Sequence, residues 1–226
     1  MTTEIATLQE NLARQLARQQ EAAQGLRTTG AYISFKNAQL KVDGQPIPNN
    51  MVETRVLAAI GERTYYAEAF DSDAIQVPDC YALDSDSPHP EAKNPQADHC
   101  GDCQWNKWGT AVDSRGQKAR GKACREGARI IVAPANVPLK TAPMYTAKVP
   151  VTSLGAVTAF TSRCSQAGKL SGEFVTQLSC VEDKKSFFKV HLVIKEITSD
   201  MDMSALIAKQ DQAYELAMQP YPTVDE

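Results

Sequence analysis

Several things this chain lacks narrow its chemistry before any motif is read. No apolar run approaches the roughly 20 residues needed to span a bilayer. The first residues are polar and helix-forming rather than a secretory leader. The expectation is a cytoplasmic protein with no membrane partner, whose cysteines are free or metal-bound, with a disulfide framework as the lesser rival. Neither G-x-x-x-x-G-K-[ST] nor G-x-G-x-x-G occurs, so no phosphate-cradling loop is expected. Histidine is scarce, at three residues, and no Ser or Cys motif accompanies His191 to build a triad. The acids Asp71, Asp73, Asp79, Asp84 and Asp86 lack the calcium-hand spacing. Without an acid–base or nucleophile constellation, an enzyme is not expected. Aromatics make up only 7%, and the only two tryptophans, Trp105 and Trp108, lie three residues apart.

What is present can build a real core. The chain has 226 residues, 42% apolar and 23% charged, ordinary for a folded protein. Its net charge of −3 does not announce a nucleic-acid binder, but the charge is unevenly spread. Between Gly101 and Ala135 seven cations (Lys107, Arg115, Lys118, Arg120, Lys122, Arg125 and Arg129) face three acids. Between Glu196 and Glu226 one cation, Lys209, faces seven acids. A basic middle and an acidic end suit a polyanion site plus a tail that mimics or repels polyanions.

The periodicity predicts mainly β structure with flanking helices (α+β). Ile5, Leu8, Leu12 and Leu16 predict a helix over 3–24, within an N-terminal unit of 1–28. Its narrow stripe suits docking on the main body or pairing with a helix of a second subunit, as in a homo-oligomer. Tyr32, Phe35, Leu40 and Val42 fall in short strands, and Asp43-Gly44 marks a tight turn. Met51 to Ile60 is a strand that Gly61-Glu62-Arg63 turns into Thr64-Tyr65-Tyr66, with the two tyrosines on opposite faces. Asp71 to Asp98, proline-rich and acidic, reads as loop. Arg129–Ala133 and Met144–Val149 are further strands; Ser153 caps a helix to about Gln166, with Gly168 after it. Cys164 and Cys180 read as small core residues. Phe188, Val190, Leu192 and Ile194 alternate with polar residues in a period-2 strand. A last helix, about 202–218, carries Leu206, Ile207, Tyr214, Ala217 and Met218 on one face. The core then spans 29–200, and 201–226 is a C-terminal helix with a short acidic tail.

The cysteines carry the chemistry. Cys100-Gly-Asp-Cys103 is a C-x2-C knuckle, and Cys80 and Cys124 lie about equally far on either side. Four thiolates brought together satisfy the tetrahedral demand of zinc and leave no open position, so the ion is structural. The inserted zinc module spans about 77–127. His89 and His99 are alternative donors, although His99, next to Cys100, suits a place just outside the shell. The run Ser114 to Lys122 is rich in glycine and cations, suited to close approach to phosphates. Trp105 and Trp108 either form a mini-core for the module or offer a face on which a base stacks.

Cys100-Gly-Asp-Cys103-Gln-Trp-Asn-Lys-Trp-Gly109-Thr110, followed by Gly121-Lys122-Ala-Cys124-Arg125, resembles a pattern of tailed-bacteriophage proteins. Pro150-Val-Thr-Ser153-Leu and Thr176 extend the resemblance, which covers roughly Val77 to Ile197. More broadly the chain is similar to zinc-containing phage replication proteins that coat single-stranded DNA on an OB-like barrel with long insertions. The resemblance implies a structural zinc on Cys80, Cys100, Cys103 and Cys124, with the basic residues after Trp105 bordering a DNA groove. The chain departs from that pattern in its tail, where only Asp225 and Glu226 close the sequence. The function expected is sequence-nonspecific binding of single-stranded DNA in phage replication or recombination, alongside proteins of those processes. Lys107, Arg115, Lys118, Arg120, Lys122 and Arg125 are the candidates for phosphate contact; Trp105, Trp108, Tyr65 and Tyr66 are those for stacking. The competing expectation is a zinc-stabilised structural or regulatory protein that holds a partner protein.

Overall fold

The computed structural model describes residues 31–68, 76–113 and 116–221. The helix predicted over 3–24, Asp71, Asp73, Arg115 and the last five residues lie outside them. The strands are β1 (Tyr32–Ser34), β2 (Lys41–Val42), β3 (Gln45–Pro46), β4 (Met51–Tyr65), β5 (Cys80–Ala82), β6 (Arg125–Pro134), β7 (Tyr145–Pro150), β8 (Phe174–Asp183) and β9 (Phe187–Ile197). Two helices join them, α1 (Leu154–Gln166) and α2 (Met203–Ala217). The fold is mainly β with flanking helices, as the periodicity predicted. One curled, half-barrel sheet runs β3-β2-β1-β7-β6-β4-β8-β9, with β5 added to one end of β4. All pairings are antiparallel except β1 with β7.

β4 is the spine. Its first residues pair with β8, its length pairs with β6 through a bulge at Val56/Ala58, and its last three pair with β5. The turn expected at Gly61-Glu62-Arg63 is therefore not there: the strand continues unbroken to Tyr65. Glycine serves here by its lack of a side chain, because a Cβ at Gly61 would sit 2.5 Å from Ser85 Oγ. Cys80–Ala82, expected as loop, pairs with Arg63–Tyr65 and is buried.

Both sheet faces are covered, which explains the continuous apolar run of β6. Ala128, Ile130 and Val132 point into a core with Val157, Phe160 and Cys164 of α1 and with Leu178, Cys180, Val190 and Leu192. Ile131 and Ala133 point the other way, against Leu206, Ala213 and Ala217 of α2. Cys164 and Cys180 are the core residues expected. In β9 the expected alternation holds: Val190 and Leu192 are buried while Lys189, His191 and Lys195 are exposed.

Two helix details differ from expectation. The Ser153 side chain does not cap α1; its Oγ accepts from the Val190 amide at 2.9 Å and ties the helix start to β9. Gly168, with φ +64°, does end that helix as expected. On α2 the buried stripe is Leu206, Ala213 and Ala217, whereas Ile207 and Tyr214 are exposed. Both sit one residue, about 100°, further round than a member of the stripe. Asp202 caps this helix by accepting from the Ala205 amide at 3.0 Å.

Candidate functional site

The end of β4 organises the cysteines. Tyr65 pairs with Cys80 on one side, and Thr64 pairs with Arg125, the residue after Cys124, on the other. The chain between β5 and β6 makes a long excursion that carries Cys100 and Cys103, both buried. The Cys100 amide donates to Asp86 O at 2.7 Å, and the Cys124 amide to Trp105 O at 3.0 Å. All four thiols are buried and unbridged. Burial pushes the Cys80 and Cys100 thiols up and takes Cys124 to about 11. Charge on one thiol opposes charge on the others: Cys124 feels Cys100, Cys103 and Cys80, and Cys80 feels Cys103. Arg63 pulls Cys100 and Cys124 the other way, and the Gln96 amide donates to the Cys80 sulfur. The four thiols thus lie within electrostatic reach of one another. Among the described residues, however, no three His, Cys, Asp or Glu side chains are already drawn together as a ligand set.

His99 is exposed beside Cys100. His89 stacks on Tyr81 with centroids 5.1 Å apart, and its Nδ1 accepts from the Glu91 amide at 3.2 Å.

The two tryptophans differ. Trp105 stacks on Tyr65, with centroids 5.0 Å apart and planes 17° apart, and its Nε1 donates to Gln96 Oε1 at 2.8 Å. With Cys80 and Cys124 these rings form a small cluster of their own. The faces that Trp105 and Tyr65 turn to each other are in use. Trp108, three residues on, is 79% exposed.

The segment that carries the cations folds back on itself. Gly109 and Ala111 donate to Gly121 O, Ala119 donates to Ala111 O, and Val112 bridges Lys118. Gly121 takes φ +138°, which a side chain would resist. Lys107, Lys118, Arg120 and Arg125 are exposed. Lys122 is half-buried, donating to Asn106 Oδ1 at 2.9 Å and 3.9 Å from Glu126. Tyr66 is half-buried; burial and then Glu62 push its hydroxyl up, while Arg125 opposes them.

Sequence reasoning missed the residues that hold this module to the sheet. Arg63 donates to Ser85 O at 2.9 Å and to Asn106 Oδ1 at 3.0 Å, and pairs with Glu126 at 2.5 Å. Asn106 in turn donates to Cys100 O at 2.8 Å. On the other face of the sheet, Glu62 and Arg129 form a buried pair at 2.7 Å. Arg129 also takes Ala217 O and Gln219 O, the last carbonyls around α2, at 2.9 and 2.7 Å. Tyr221 donates to Glu62 at 2.7 Å and accepts from Lys148. The available signal was charge in otherwise apolar strands, which at Glu62 was read as part of a turn.

No family model, curated protein or solved structure matches the chain. No helix among the described residues is long and apolar enough to cross a membrane.

Proposed function

We propose that the chain binds single-stranded DNA, largely without regard to sequence, through a flap that four cysteines and a structural zinc hold against an OB-like barrel. This is the role of a coat protein in phage replication or recombination. The observation that carries the reading is Trp108. A ring left 79% exposed, flanked by exposed Lys107 and near in sequence to exposed Lys118, Arg120 and Arg125, offers a stacking face amid charges that attract phosphates.

The donor set fits zinc. Burial makes the Cys80, Cys100 and Cys124 thiolates costly without a counter-charge, and a dication removes that cost. Cys80, Cys100, Cys103 and Cys124 would hold the ion, which closes the loop and supplies no open position for catalysis. Trp105 and Tyr65 then serve as the module's own small core, and Trp108 as the exposed ring.

Titration with oligo(dT), followed by tryptophan fluorescence and mobility shift, tests the reading. Quenching is expected from Trp108, with log K falling against log salt by about 0.7 per cation engaged. An affinity unchanged between low and moderate salt would sink it. Partner-protein binding is the second reading, favoured by Met203, Ile207 and Tyr214, which leave apolar surface exposed along α2. Absence of any shift with single- or double-stranded DNA would favour that alternative.

A further inference from the structure

The most exposed large apolar side chain among the described residues is not in the cysteine module. It is Phe187, 88% exposed, at the tip of the β8–β9 hairpin. Its backbone is also unusual, with φ +64°. That conformation suits glycine or asparagine at the close of a turn, and a phenylalanine held there is strained. Neither feature serves the fold. The turn is already fixed by Asp183, which accepts from the Lys185 amide at 3.3 Å and from Ser186 Oγ at 3.1 Å. Ser186 Oγ also lies 3.1 Å from Phe188 O, and Phe188 is the residue that turns inward to the core. A chain that needed only a turn would gain by placing glycine at 187.

The surroundings say what the ring meets. Lys184 and Lys185 are exposed beside it, and Lys189 follows on the same outward face. The acids of the tip are Glu182, exposed, and Asp183, which is engaged by the turn and lies 3.6 Å from Lys189. An aromatic face in water, flanked by two lysines outside any ion pair between described residues, matches a polyanion that carries flat rings. Val181, 51% exposed, pairs with Lys189 and widens the apolar patch.

We infer that the β8–β9 tip is a second contact for single-stranded nucleic acid, with Phe187 stacking on a base and Lys184 and Lys185 facing phosphates. This rests on the reading of the chain as a DNA-binding protein, and it adds a site at the other end of the spine. β8 pairs with the Met51 end of β4, whereas the cysteine module sits at the Tyr65 end. A strand touching both must run the length of the sheet, so the probe has to be long.

The test compares wild type with Phe187→Gly, Phe187→Ala and Trp108→Ala, using long oligo(dT), thermal unfolding and anionic phospholipid vesicles. Phe187→Gly is expected to melt no lower than wild type, because it relieves the backbone, yet to bind the oligonucleotide at least fivefold more weakly. Phe187→Ala should weaken binding similarly. A raised or equal melting temperature with lost affinity is a signature that a merely structural phenylalanine would not give. Unchanged affinity in both Phe187 variants, with binding lost in Trp108→Ala, overturns the tip and leaves the flap standing. Vesicle binding that depends on Phe187 while oligonucleotide binding does not overturns it in favour of a lipid surface. No binding of oligo(dT) by wild type overturns both contacts.

Discussion

The sheet body and the cysteine module are held together by different means. In the body, Ile130, Ile131, Val132, Leu178 and Leu206 are essentially removed from water, and hydrocarbon covers both faces of β6. Between β5 and β6 the described residues hold little regular structure, and their apolar burial is two small clusters, Cys80 and Cys124 with Tyr65, Trp105 and Ala123, and Leu83 and Ala92 with Tyr81. A segment with so little apolar surface to bury cannot offset the entropy of ordering its backbone by burial alone. It borrows order from Arg63, which reaches three separate stretches of chain, and, in the proposal above, from a bound ion. The two regions should therefore fail separately.

The largest expected effect lies in the body. Arg129→Met leaves Glu62 buried without its partner and strips the carbonyls at the end of α2 of their donor. A loss of about 3–5 kcal/mol is expected, read as a lower denaturant midpoint of the whole sheet. A smaller loss, near that of a surface pair, would mean that water already reaches Glu62.

The same network makes the body sensitive to alkali. Burial, then the charge of Glu62, pushes the Tyr221 hydroxyl far up, and burial takes Tyr32 to about 12. Both hydroxyls ionise near 10 when unfolded, so the fold favours their neutral forms. The stability this contributes is complete below pH 10 and drains away as pH rises from 10 through 12. Melting across pH 8–12 should show that fall, and Tyr221→Phe should flatten it while removing the bond to Glu62, about 1–3 kcal/mol at neutral pH. A wild-type curve flat to pH 12 would contradict the burial of these rings.

How far each region was legible follows from the range of its interactions. β9 could be read because one face is buried, so Val190 and Leu192 alternate with Lys189 and His191. The Asp43-Gly44 turn could be read because its cause is local; both residues take positive φ. β6 was read too short, since its ends, Arg125–Gly127, carry no apolar signal although they pair with β4. Gly61 looked like a turn because spacing cannot show Ser85 lying against it. The parallel β1–β7 pair and the path of β4 across three partners depend on long-range contacts that no window contains. In the site, cysteine spacing suggested a shared ligand set; the structure buries all four thiols, and among the described residues no three of them are drawn together as ligands. Arg63 was invisible because Ser85, Asn106 and Glu126 are far away in sequence. For Trp105 and Trp108 both roles were open; the structure packs Trp105 on Tyr65 and leaves Trp108 exposed.

Cys103→Ser sharpens the contrast from the other side. In the zinc proposal it should release the ion and the protection of amides between 100 and 124, while the stability of the body, read from its denaturant midpoint, changes by less than about 1 kcal/mol. Hydrogen exchange and metal analysis on one sample read both. Were the whole sheet to unfold with the module, the two regions would be one cooperative unit and the comparison would fail.

Trp108→Ala carries the smallest stability effect and the most functional information. An exposed ring contributes within about 0.5 kcal/mol to folding, so the melting temperature should stay put. If the ring stacks on a base, affinity for single strands should fall by about 1–3 kcal/mol, some five- to 150-fold. Trp105→Phe is the counterpart: it loses the bond to Gln96 and disturbs the stack on Tyr65, so it should loosen the module first and weaken binding only through that loosening. The pair separates a ring that builds the flap from a ring that the flap presents. Equal losses of order and affinity in both variants would mean that the flap has no exposed working face, and that the tryptophans are one core.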